Sequence, residues 1–136
     1  MTQSRAWPLL VGSCLLFAAN VAAAQLADLA RSTPEQRANA QTAFMKSKLA
    51  LSTSQLGKVS ALNLEYAKRF DPILKGDAGR FSKLRQIRSL EAEKERELEK
   101  LVSPDQLETF NASKDEMRKV VTAQIQREAK AGASSP

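Results

Sequence analysis

Residues 51–73 read LSTSQLGKVSALNLEYAKRFDPI, and this stretch decides the fold class. Leu51-Ser52-Thr53-Ser54-Gln55 is a helix start. The Ser52 hydroxyl can accept from the backbone N–H three residues on, and Gln55 stands where its side chain reaches back to the Ser52 N–H, the reciprocal pair of a capping box. Leu56, Val59, Leu62, Tyr66, Phe70 and Ile73 then recur at three- and four-residue intervals, the period of one helical face. Asp71-Pro72 predicts a kink or an end near Phe70, because proline lacks an N–H and crowds the preceding turn. Lys75-Gly76-Asp77-Ala78-Gly79 supplies the turn that follows.

The same start signal recurs on both sides of this segment. Upstream, Ser32-Thr33-Pro34-Glu35-Gln36 places Thr33 at the N-cap, Pro34 at the first helical position, where no donor is lost, and Gln36 within reach of the cap. That helix is expected to run to about Lys48 on a thin apolar content of Phe44, Met45 and Leu49. Downstream, Val102-Ser103-Pro104-Asp105-Gln106 repeats the logic with Ser103 as N-cap and Gln106 behind it. It heads one long helix with the stripe Leu107, Phe110, Met117, Val121 and Ile125, Val120 lying alongside. Asn111-Ala112-Ser113 matches the glycosylation triplet, but inside a predicted helix.

Between these starts, a helix is expected from about Arg80, with Phe81, Leu84, Ile87 and Leu90 as its stripe. The stripe lapses until Leu98 and Leu101, because Glu91, Lys94 and Glu95 fill the face. Arg80, Lys83, Arg85 and Arg88 crowd the first half and Glu91, Glu93, Glu95, Glu97 and Glu99 the second, a polarity that opposes the helix dipole. Pairs of Glu91 with Lys94, Glu93 with Arg96 and Glu97 with Lys100 would lace such a helix as a solvated surface. No alternating run argues for a strand, so the expected fold is all-α, with four helices.

The chain begins with polar residues and Arg5, runs apolar from Trp7 to Ala19, and ends that run in Ala22-Ala23-Ala24, the pattern of a secretory signal peptide cleaved before Gln25. The run is shorter than the roughly 20 residues that span a bilayer, so no stable membrane insertion is expected. The expected division is 1–24 leader, 25–128 helical domain and 129–136 disordered tail. Without the leader and its Arg5, the remaining 112 residues carry 20 Lys or Arg against 15 Asp or Glu, a net charge of +5. Cys14 and Trp7 leave with the leader, and there is no histidine in the chain. Soft-metal binding, redox chemistry and triad hydrolysis lack their usual residues, and no calcium loop is present. No cofactor, no metal and no enzymatic activity are expected. Nucleic acid is not an expected partner, since no binding motif or aromatic platform is visible.

The copies Leu51-Ser52-x-x-Gln55 and Val102-Ser103-x-x-Gln106, with Thr33 and Gln36 as a reduced first copy, resemble the LTxxQ motif of the Spy/CpxP family. The order of leader, short helix, motif, long helix, turn, charged helix, motif and final helix resembles it too. The resemblance implies a periplasmic protein of helical hairpins, paired as an antiparallel, cradle-shaped homodimer. It also implies an ATP-independent chaperone that holds unfolded or misfolded proteins in envelope stress. The alternative function is a regulator that binds the sensor domain of an envelope-stress system. The expected client-binding surface is Lys68, Arg69, Phe70, Phe81, Lys83, Arg85 and Arg88, cations among apolar groups around the 71–79 turn. The cap residues Ser52, Gln55, Ser103 and Gln106 are expected to hold helix ends and nothing more. A further alternative sets the +5 charge against anionic lipid headgroups.

Overall fold

A computed structural model describes residues 25–134, and these form helices joined by tight turns, with no strand among the described residues. Helix α1 is described over 25–31. It is followed by α2 (Pro34–Leu49), α3 (Thr53–Lys75), α4 (Arg80–Glu99), α5 (Pro104–Ala112) and α6 (Lys114–Ala133). The fold is all-α, as its sequence periodicity requires. The leader, its cleavage point, Trp7 and Cys14 lie outside the described residues.

All three predicted capping boxes form. Thr33, Ser52 and Ser103 each accept from the N–H of Gln36, Gln55 and Gln106, and each glutamine side chain accepts from the N–H of its cap. Between α2 and α3 the chain turns through Ala50, whose φ of 48° and ψ of 50° place it in the left-handed region.

Helix α2 packs against α3 on one side and α6 on another, with α5 across its end, and α4 lies along α3. This central position explains why α2 looked thin in apolar residues. It buries Ala38 and Ala40, small enough to let neighbouring helices approach closely, together with Met45 and Leu49. The main core joins Met45, Leu49, Val59, Leu62, Tyr66, Leu98 and Phe110, drawn from four helices, and Ala40, Val121 and Ile125 make a smaller cluster.

Three expectations about helix boundaries are corrected. Helix α3 does not end near Phe70 but continues through Pro72 to Lys75. Pro72 sits in the last turn, where it removes one helical hydrogen bond, and Asp71 beside it is held by ion pairs with Arg37 at 2.7 Å and Lys75 at 2.8 Å. The turn itself needs Gly76. Its N–H donates to the Pro72 carbonyl at 2.9 Å, and a Cβ there would stand 2.8 Å from that same oxygen.

The last helix is two helices. Thr109 and Ser113 turn their hydroxyls back onto the carbonyls of Asp105 and Thr109, and the Ser113 N–H reaches Phe110 rather than Thr109, which breaks the helix between α5 and α6. The glycosylation triplet falls on this junction, with Ser113 buried.

Residues 129–133, expected as disordered, continue α6 to Ala133. They are exposed, but Ala129, Lys130 and Ala131 propagate a helix already nucleated by the packed turns before them.

Candidate functional site

Two places in the fold concentrate polar chemistry. The first joins the two complete motifs. Gln55 Nε2 donates to Gln106 Oε1 at 2.8 Å, and Gln106 Nε2 donates to Gln55 Oε1 at 3.1 Å. The same amides also donate to the carbonyls of Leu101 and Leu49, at 3.4 and 3.1 Å. Each glutamine therefore closes its own cap and ties the start of α3 to the start of α5. Expectation had limited these residues to single helix ends; the spacing within each motif gave no sign that the two would meet. Leu51 and Val102, the apolar first positions of the motifs, pack against the main core.

The second is the surface of α4. Three acids of its second half, Glu91, Glu93 and Glu95, pair with cations of neighbouring helices while remaining partly open to solvent. Glu93 takes a bidentate pair from Arg69 at 2.7 and 2.9 Å and a hydrogen bond from the Tyr66 hydroxyl at 3.1 Å. Arg69 in turn lies over the Tyr66 ring, 4.7 Å from its centroid. The Arg69 hydrogen bonds hold the Glu93 carboxyl below the usual range, while burial, with Glu93 beside it, pushes the Tyr66 hydroxyl up. Glu95 pairs with Lys114 at 2.6 Å and Glu91 with Arg118 at 3.8 Å. Lys94 reaches across to Gln41 of α2 at 2.7 Å, and burial lowers its pKa to about 8. Of the three pairs expected along α4, only Glu97 with Lys100, at 2.8 Å, is among the described ion pairs. The lapse in the apolar stripe is a half-solvated polar edge whose Lys94 and Glu95 reach to neighbouring helices while Glu91 stays exposed.

The basic half differs. Phe81 is 84 % exposed and is not part of the inward stripe, which Leu84, Ile87 and Leu90 continue half-buried. Phe81, Arg85 and Arg88 stand at i, i+4 and i+7, one outward row. Arg85, Arg88 and Lys68 are exposed and have no side-chain partner among the described residues. The other expected surface residues are committed elsewhere. Arg69 is held by Glu93, Phe70 packs against the core, and Lys83 donates to the Leu74 carbonyl at the end of α3, at 3.1 Å. Helix α4 also starts at Gly79 with no side-chain cap and no acid in its first turn.

A groove of about 480 Å³ lies apart from both places, between Asp28, Arg31 and Gln36 on one side and Ile125, Gln126 and Lys130 on the other. No group of His, Cys, Asp and Glu suited to hold a metal ion occurs among the described residues. No helix among them is long and apolar enough to cross a membrane.

A family model described as a domain of unknown function, DUF4890, matches residues 23–131. The chain belongs to the DUF4890 family. Neither the curated proteins nor the solved structures gave a match. The DUF4890 match spans every element from α2 to α5 and nearly all of α6, so both linked capping boxes and the whole of α4 lie inside it.

A further tie went unread in the sequence. Arg37, 4 % exposed, donates to the carbonyls of Leu29, Ser32 and Ala67 and to Asp71, clamping α1, α2 and α3 together. An arginine inside a helix of thin apolar content reads as solvated, and only the fold shows that its face turns inward.

Proposed function

We propose that this protein is an exported, periplasmic holdase that binds unfolded chains without ATP, works as a homodimer, and is related to the LTxxQ-motif proteins of the Spy/CpxP family. One observation carries the reading: Leu84 and Ile87 in the first half of α4 are only half-covered, and Phe81 is exposed on the same row as Arg85 and Arg88, which have no side-chain partner among the described residues. Such a surface attracts unfolded segments through charge first and apolar contact second, with little selectivity. A second copy laid against α4 would cover the half-buried stripe, which a monomer of this size has few other means to do. The relationship draws support from the linked Ser-x-x-Gln boxes, since a motif that ties two helix starts together has a reason to occur twice. Export draws support from the leader pattern in the sequence.

The test is suppression of aggregation for several unrelated unfolded proteins, with and without ATP, by the parent and by the Lys68→Ser, Arg85→Ser, Arg88→Ser triple variant. The parent is expected to protect the whole panel regardless of nucleotide, and the triple variant to protect less at unchanged helicity. A parent that protects none of them sinks the holdase reading and leaves binding to a single sensor domain as the function.

A further inference from the structure

We infer that the outward row Phe81, Arg85 and Arg88 of α4 docks this protein onto an anionic phospholipid surface. The inference goes beyond the holdase reading and does not depend on it.

The charge of the fold is concentrated in one place. Residues 68–88 hold seven Lys or Arg against Asp71 and Asp77. With Arg69 paired to Glu93 and Lys75 to Asp71, Lys68, Lys83, Arg85 and Arg88 remain as cations with no acid partner among the described residues. Both carboxylates of that segment have little effect on the outward row. Asp71 is occupied by Arg37 and Lys75, and Asp77 lies in the turn before α4. The acids of the second half of α4 do not neutralise the row either, because Glu91, Glu93 and Glu95 are drawn to Arg118, Arg69 and Lys114 on other helices. Arg85 and Arg88 thus make no ion pair among the described residues, the nearby Glu91 being drawn toward Arg118.

Phe81 decides between partner classes. An aromatic side chain 84 % exposed, one turn from one arginine and two turns from the next, presents an apolar body beside planar cations. Anionic headgroups offer the matching pair of environments, phosphate for the guanidinium forks and the acyl boundary for the ring. The row lies along the outer side of one helix, and the described groove lies elsewhere, between α1 and α6. A broad anionic surface needs no groove. Each cation near such a surface contributes roughly fivefold in affinity, and a half-inserted aromatic a similar or somewhat larger factor, so binding should be reversible and salt-sensitive.

The experiment is co-sedimentation of the purified protein with vesicles of mixed phosphatidylglycerol and phosphatidylcholine, and with phosphatidylcholine alone. Any apolar N-terminal stretch retained is common to parent and variants and cancels in the comparison. The parent should bind the anionic vesicles selectively and release them as salt rises. Arg85→Ser with Arg88→Ser should weaken binding about thirtyfold, and Phe81→Ser about tenfold with the salt dependence kept. Arg85→Lys with Arg88→Lys should stay within about threefold of the parent. Lys46→Ser with Lys58→Ser removes two exposed cations outside the 68–88 segment and should cost less than about threefold. Equal binding to both vesicle types overturns the proposal, as does equal loss in the Lys46/Lys58 control. Binding of soluble polyglutamate with the vesicles left unbound overturns it too, and assigns the row to an acidic polypeptide.

Discussion

Gln55 and Gln106 hydrogen-bond each other amide to amide, at 2.8 and 3.1 Å, while each also accepts from the N–H of its own helix cap. Two local signals, 51 residues apart, are thereby made into one structural unit. Neither amide has a cheap alternative partner, because both lie partly buried between the ends of α2 and α4.

Replacing either glutamine by alanine should therefore cost about 1–3 kcal/mol, more than a lost surface hydrogen bond, since the other amide is left partly buried and unpaired. The double replacement should cost less than the sum, with a coupling of roughly 0.5–3 kcal/mol. Ser52→Ala should cost about 1 kcal/mol through its cap alone. Urea unfolding of the four-member cycle measures this; strict additivity would show that the amides act separately.

Asp71 makes the fold acid-sensitive. Burial pushes its carboxyl up, but hydrogen bonds from Lys75 and Arg37 outweigh that and hold it below the usual carboxylate range. The folded value lies below the unfolded one, so the stabilisation is complete above the unfolded value near about 4 and is lost as pH falls through the folded value. Asp71→Asn should cost about 3 kcal/mol at neutral pH, because it leaves the Arg37 charge buried without its carboxylate. The difference from the parent should shrink below about pH 4. Urea midpoints at neutral and acid pH check both statements.

Ala50 is in the left-handed region, with φ 48°. That conformation costs an alanine about 1–2 kcal/mol, and glycine adopts it freely. Glycine also loosens the unfolded chain by about 0.4–1 kcal/mol, which offsets part of the gain. Ala50→Gly should thus stabilise by about 0.5–1 kcal/mol, seen as a higher urea midpoint at unchanged slope.

What could be read in the sequence was local. Three capping boxes, the stripe of α3 from Val59 to Tyr66 and the core positions Phe110, Val121 and Ile125 are each set within a few turns of chain, and the fold keeps them. The errors came where a distant partner decides. Asp71-Pro72 predicts a kink or an end near Phe70, and the end does not form because Arg37 arrives from α2 to hold Asp71, which the sequence does not show. Glu93 looked like a partner for Arg96 three residues away, until Arg69 and Tyr66 offered it a better site. Phe81 shares the spacing of Leu84 and Ile87, yet at the first turn of α4 it stands 84 % exposed. Of the expected client surface, Lys68, Phe81, Arg85 and Arg88 are exposed, whereas Arg69, Phe70 and Lys83 are already engaged.

Lys94 gives the sharpest alkaline prediction. Burial between α4 and α2 lowers its pKa from 10.5 to about 8, Glu91 opposing part of the effect, while Gln41 accepts one of its protons at 2.7 Å. A lysine whose folded value is depressed binds its proton less well in the fold than in the unfolded chain. Between about 8 and 10.5 the unfolded state holds more protons, so stability must rise with pH across that window. The full span corresponds to about 3 kcal/mol at 1.36 kcal/mol per unit. Lys94→Met removes the titration, and it orphans Gln41 at a cost of about 1 kcal/mol that does not vary with pH. The stability of the parent minus that of the variant should therefore climb from pH 7 to pH 9.5, by a large part of that span. Tyr66, whose pKa is raised by burial and by Glu93, titrates above this range and in both proteins alike. Urea unfolding at half-unit pH steps measures the difference curve. A flat curve would mean that the Lys94 ammonium is hydrated in the fold, and that the seam between α2 and α4 is open to water.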